Sequence, residues 1–155
     1  MRLLASTDFA LRVLIRLAAE PAGQHLNVEA LARELGGLSR NHLHKVVQEL
    51  AVLGMVRTLR GAHGGVALSK PPGEIRLDEL VARLESEQAL VECFRADGGA
   101  CVLTPRCRLK GMLAGARDAF LHALDRYTLA ECLAGAAAPP PDPGQLGGPG
   151  PQEEE

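Results

Sequence analysis

Apolar residues in the first third of the chain recur at helical spacing in three bursts, and then the pattern switches to alternation. Phe9, Leu11, Val13, Leu14 and Leu17 predict a first helix, buried on more than one side, with Arg12 and Arg16 one turn apart on a separate face. Ser6, Thr7 and Asp8 can each cap it, and Pro21-Ala22-Gly23 ends it. Asn27 caps a second, short helix with Val28, Leu31 and Leu35 inward, followed by a turn at Gly36-Gly37. Ser39 caps a third, whose Leu43, Val46, Val47 and Leu50 form one buried stripe. Residues 55–60 then alternate apolar and polar as a strand does, Gly61-Ala62-His63-Gly64-Gly65 makes a tight turn, and residues 66–68 start the return strand.

After Pro71-Pro72-Gly73 the helical period returns. Leu77, Leu80, Val81 and Leu84 predict a fourth helix. Residues 107 to about 125 predict a long one, roughly 28 Å at about 1.5 Å per residue, with Leu109, Met112, Leu113, Ala116, Phe120 and Leu124 in a continuous stripe. A stripe that long beside a small domain points to pairing with its own copy. Residues 129–133 add a final turn, in which Cys132 is expected as a small buried apolar side chain. From residue 134 the chain is Ala, Pro and Gly ending in three glutamates, a composition that does not fold.

Two short helices joined by a glycine turn, the second with a polar, basic front, form the helix-turn-helix pattern, and the hairpin makes it winged. The front of the third helix offers Ser39, Arg40, Asn41, His42, His44, Lys45 and Gln48, and the wing adds Arg60 and His63. Arg, Asn and Gln can pair bidentately with base edges, and a basic wing can approach phosphates or a minor groove. The expected fold class is mainly α with a small β-hairpin: a winged helix-turn-helix plus a long C-terminal dimerisation helix. The expected division is a DNA-binding domain over 1–72, a connecting helix and cysteine-rich loop over 73–106, a dimerisation helix and short segment over 107–133, and a disordered tail over 134–155.

Charge sharpens this. The 155 residues carry a net charge of −2, which alone argues against nucleic acid, but residues 1–70 hold nine Lys/Arg against five Asp/Glu, and residues 71–155 eight against fourteen. A basic reading half joined to an acidic regulatory half has that asymmetry. The apolar fraction of 46%, with no tryptophan, gives an aliphatic core. No apolar run approaches the ~20 residues needed to span a membrane, so a cytoplasmic protein without membrane contact is expected. No Ser/His/Asp or carboxylate-pair arrangement suggests an enzyme, and no P-loop pattern accompanies the wing glycines.

The stretch 93–110 holds three of the four cysteines, Cys93, Cys101 and Cys107, in a loop that Gly98, Gly99 and Pro105 keep from being helical. Three soft thiolates suit a metal or an iron–sulfur cluster; they equally suit a thiol redox switch, or ordinary thiols. An odd number in a chain without a secretory signal disfavours a disulfide framework.

The chain resembles the NsrR/IscR family of winged-helix iron–sulfur transcription regulators over residues 1 to about 133. The resemblance is carried by Thr7-Asp8-Phe9-Ala10-Leu11-Arg12, Ser39-Arg40-Asn41-His42-Leu43, Lys45-Val46-Val47, Arg60-Gly61, Gly64-Gly65, the three cysteines with Arg108-Leu109-Lys110, and residues 124–130. It implies a homodimeric repressor on an inverted-repeat operator in double-stranded DNA. It also implies one [4Fe–4S] or [2Fe–2S] cluster per subunit, ligated by Cys93, Cys101 and Cys107, with Asp8 of the partner subunit as fourth ligand. Members that use a histidine have it three residues after the last cysteine, where this chain has Lys110. The implied signal is nitric oxide, whose attack on the cluster releases the operator. The alternatives are an iron-status or thiol-redox regulator of the same family and an iron–sulfur electron-transfer protein.

Overall fold

In the computed structural model, residues 3–36, 39–61, 64–104, 106–133 and 135 are described. The expectations for Gly37, His63, Pro105 and nearly all of the tail fall outside them.

Helix α1 (Ala5–Ala18) starts earlier than its capping residues suggest. Its N-cap is Leu4, without a side-chain cap. Ser6, Thr7 and Asp8 therefore lie within the first turn. Thr7 is fully buried and its hydroxyl donates to Glu85 Oε1, which also accepts the Leu4 N–H at 2.9 Å. Long-range pairing replaces the local cap. Helix α2 (Val28–Leu35) is capped by Asn27, whose side chain accepts the Ala30 N–H at 2.6 Å. Gly36 follows at φ 55°, a conformation that favours glycine. Helix α3 (Arg40–Val52) is capped by Ser39, which accepts the His42 N–H at 3.3 Å.

Strands β1 (Val56–Leu59) and β2 (Gly65–Leu68) pair antiparallel, Val56 opposite Leu68 and Leu59 opposite Gly65. The expected alternation in β1 is not kept: Val56 is buried but Arg57, Thr58 and Leu59 are all exposed, because β1 is the outer strand and it is β2, flanked by Leu26, that buries Gly65, Val66 and Ala67. Leu26 bridges to Val66 on the other edge of β2, and this approach is close enough that a Cβ at Gly65 would lie 2.6 Å from the Leu26 carbonyl oxygen.

Helix α4 (Leu77–Leu84) buries Leu80, Val81 and Leu84. A bridge between Arg76 and Thr128 ties its start to the C-terminal segment, with Leu129 N–H donating to Ile75 O at 2.8 Å. One aliphatic core joins Ala10, Val13, Leu14 and Leu17 of α1 to Leu31, to Leu43, Val46 and Leu50 of α3, to Val56 and Val66, and to Ile75, Leu80 and Leu129. Each fully buried Leu contributes about 1.5–3 kcal/mol, so the reading head and the start of the C-terminal half share one stabilised unit.

Helix α5 (Arg108–Leu124) packs beside α4 but buries none of its own residues. Leu109 is 56% and Met112 62% exposed, whereas Leu113, Phe120 and Leu124 are half-buried, so the chain covers only part of the stripe. The final 3₁₀ turn, Leu129–Cys132, buries Leu129. Cys132 is exposed, against the expectation of a buried position, because the turn gives its inward place to Leu129. No helix among the described residues is long and apolar enough to cross a membrane.

Candidate nucleic-acid interface and cysteine loop

The front of α3 is set by its own burial pattern. Leu43, Val46, Val47 and Leu50 face the core, which leaves Arg40, Asn41, His44, Lys45 and Gln48 exposed on the other side, with Ser39 at the tip. Arg40 is already engaged: its guanidinium lies 2.7 Å from Glu29 of α2. His42 is exposed too, yet its ring rests on Phe9 of α1, centroids 5.8 Å apart. On the hairpin Arg60 is exposed, and Arg57 projects from the exposed run of β1. Arg57 was not among the sequence candidates; the unbroken exposed run that reveals it needs the strand's seating on the core. The expected wing residue His63 lies outside the described residues.

The cysteine loop links α4 to α5. Cys93 sits in the 3₁₀ turn Glu92–Phe94 and is buried. Gly98 and Gly99 carry φ of 83° and 59°, and a Cβ on Gly99 would lie 2.1 Å from the Glu92 carbonyl oxygen, so the chain can reverse there only with glycine. Asp97 fixes the reversal: it accepts the Gly99 N–H at 3.0 Å and pairs with Arg95 at 2.7 Å. That pairing holds its carboxyl below the usual carboxylate range. Cys101 is half-buried. Its thiol lies below the ordinary value, chiefly through the Leu103 backbone and then the Thr104 side chain. Thr104 Oγ1 is buried without a hydrogen-bond partner of good geometry among the described residues, so its proton is available to a sulfur acceptor. Cys107 occupies the N-cap position of α5, where the helix dipole favours an anion. All four cysteines are free thiols. Partial desolvation of the sulfur, and then the Glu131 charge beside it, push the Cys132 thiol up, the opposite of Cys101.

Asp8 lies on α1, half exposed, with its carboxylate 2.8 Å from Arg12. A surface pair of this kind contributes only about 0–1 kcal/mol, so exchanging it for another partner costs little. Among the described residues, no three His, Cys, Asp or Glu side chains converge on a position for a single metal ion. The chemistry of the donors, three soft thiols carried on one loop, is that of an iron–sulfur ligand set.

Sequence reasoning missed the pairings of Thr7 with Glu85 and of Glu29 with Arg40. Their partners are 78 residues apart in one case and across a helix turn in the other, and no local pattern carries either pairing.

Residues 3–135 match the family model described as Rrf2, iron-dependent transcriptional regulator. The chain is 45% identical over 133 residues to the HTH-type transcriptional regulator NsrR of Geobacillus kaustophilus, covering 86% of this chain and 90% of the relative. It is 44% identical to that of Bacillus subtilis, with the same coverage. Among solved structures, that of CymR, the global cysteine regulator of B. subtilis, superposes with a TM-score of 0.65 at 25% identity, covering 85% of this chain and 95% of that one.

Proposed function

Because the chain belongs to the Rrf2 family of iron-dependent transcriptional regulators and is a repressor of the NsrR/IscR type, we propose that it represses nitric-oxide detoxification genes and releases them when nitric oxide reaches an iron–sulfur cluster. The ligands are Cys93, Cys101 and Cys107 of one subunit and Asp8 of the partner subunit, in a cytoplasmic homodimer with one cluster, [4Fe–4S] or [2Fe–2S], per subunit. The operator is an inverted repeat in double-stranded DNA, read by Ser39, Arg40, Asn41, His44, Lys45 and Gln48 with Arg60 and His63, while His42 stands in the first turn of the same helix. The working division is a reader over 1–72, a sensor loop over 73–106, a dimerisation helix over 107–133 and a tail over 134–155.

The observation that carries this reading is the combination of a trio of loop thiols before α5 with a helix stripe that its own chain leaves open at Leu109 and Met112. A second copy on that stripe brings another α1, and with it another Asp8, into play. When bound, the cluster supplies iron to which nitric oxide can bind. The protein's part is mechanical. Asp8 is the hard ligand of a soft set and the weakest tie. Once released, it would pair with Arg12 as it does in this structure and change what holds the first turn of α1. Two reading heads held by a dimer must match the spacing of two half-sites, so a small shift of α1 lowers operator affinity.

The test is DNA binding by anaerobically purified protein during stepwise nitric oxide addition, with the visible spectrum recorded alongside. Bleaching and DNA release together support the reading, and Asp8→Ala should then weaken cluster retention. Tight DNA binding by colourless protein, indifferent to nitric oxide, refutes it. If Asp8→Ala leaves cluster retention and response intact, the input is iron status or thiol oxidation.

A further inference from the structure

We propose that Phe9 and His42 form the mechanical contact through which α1 sets the position of the reading helix, so that His42 serves as a positioning residue rather than a base reader. The proposal rests on the sensor reading above and adds to it the path between sensor and reader.

Four observations meet at this point. Phe9 immediately follows Asp8 on α1 and is half-buried. Its ring meets the His42 ring at 5.8 Å between centroids, tilted by 59°, within the range at which offset and edge-on ring pairs attract. The Arg12 guanidinium lies over the Phe9 ring, 5.6 Å from its centroid, while pairing with Asp8 at 2.8 Å. His42 is held from its own side as well, because its backbone N–H is bound by the Ser39 cap at 3.3 Å. The first turn of α3 is thus fixed at two points, a cap within the helix and a ring reaching in from α1.

The groups form a continuous series: Asp8, Arg12, Phe9, His42, then Arg40 and Asn41. Whatever Asp8 binds decides whether Arg12 keeps its carboxylate partner, and Arg12 bears on the face of Phe9. A change at the carboxylate therefore reaches the reading edge across three contacts, without any movement of the aliphatic core. The His42 ring is taken up by its tilted contact with Phe9, and base reading falls to Arg40, Asn41, His44, Lys45 and Gln48.

The experiment compares full-length wild type with Phe9→Ala, Phe9→Leu and Phe9→Tyr. The primary quantity is the ratio of operator Kd in the cluster-free protein to that in the cluster-loaded protein. Coupling between distant sites is typically about 5–150-fold, and wild type should fall in that range. Phe9→Tyr should keep the ratio. Phe9→Ala and Phe9→Leu should bring it close to one, and the loss with Leu separates ring contact from apolar volume. The second quantity needs no cluster. In cluster-free protein, amide exchange in the first turn of α3 should accelerate in Phe9→Ala while exchange at Val47 and Leu50 stays at the wild-type rate. If Phe9→Ala keeps a normal wild-type ratio, the contact is packing only and the proposal is overturned. If wild type itself shows no cluster-dependent ratio, the sensor reading falls and the proposal falls with it.

Discussion

The Glu29 carboxylate lies 2.7 Å from the Arg40 guanidinium, joining the first turn of α2 to the first turn of α3. Both side chains are 66% exposed, so the pair is worth little in stability, about 0–1 kcal/mol. Its effect is on what Arg40 can bind. A guanidinium already neutralised by a carboxylate is a poor phosphate anchor, and one held at the tip of the reading helix is aimed at a base edge. Glu29→Gln should raise affinity for random-sequence DNA several-fold and steepen its salt dependence by about 0.9 in the log–log slope, the signature of one added phosphate contact. Affinity for the operator should rise less. Titrations at several salt concentrations check this; equal gains on both DNAs count against it.

Thr7→Val tests the tie between α1 and the end of α4. The fully buried hydroxyl donates to Glu85, and the isosteric replacement leaves the carboxylate with fewer donors in a partly buried place. Removing one partner of such a bond costs about 1–3 kcal/mol. Urea unfolding of cluster-free protein should show a lower midpoint at unchanged slope. A wild-type midpoint refutes the assignment.

Gly99→Ala should disable the sensor and spare the reader. A Cβ there would meet the Glu92 carbonyl oxygen at 2.1 Å in a left-handed backbone conformation, which costs about 1–2 kcal/mol for its handedness alone. The loop must then reopen, and Cys93 and Cys101 lose their relative placement. Iron and sulfide content per chain should drop well below wild type, while non-specific DNA affinity and helix content remain. Full iron loading of the variant would contradict this.

Acid sensitivity follows from two carboxyls flanking the sensor half. The Asp78 carboxyl is lowered chiefly by its hydrogen bond from Arg76, and that of Glu131 chiefly by the Thr128 hydroxyl in the capping box. A depressed carboxyl stabilises the fold fully above its unfolded value, about 4, and loses that contribution as pH falls through the lower folded value. Stability should therefore decline below about pH 4. Asp78→Asn and Glu131→Gln should each be less stable than wild type at neutral pH and show a flatter acid branch in thermal melts recorded against pH. An acid branch as steep as wild type in both variants would show that other groups govern it.

Where local rules govern, the fold was legible. Asn27 and Ser39 cap helices at the residues where the pattern places them, and the period of Leu77, Leu80, Val81 and Leu84 marks α4. The start of α1 was not legible, because three good capping residues in a row are outweighed by a hydrogen bond to Glu85, 78 residues away. Cys132 was misplaced for a related reason: a short 3₁₀ turn has one inward position, and Leu129 takes it. On the site, the exposed front of α3 could be read from its stripe. The engagement of Arg40 by Glu29 and of His42 by Phe9 could not, since each joins helices whose mutual placement the stripe does not specify.

Helix α5 has seventeen residues and buries none of them in its own chain. In the proposed dimer its exposed stripe is covered by a second copy, and the loop that ends at Cys107 gains its fourth ligand only there. Sensor assembly is then a matter of gene dosage. Where the chain is scarce, mass action favours separate copies, in which the recruited carboxylate is lost. The repressor therefore has a minimum working abundance set by the association constant of one helix face, and a cell can tune the threshold of the response by how much of this chain it makes.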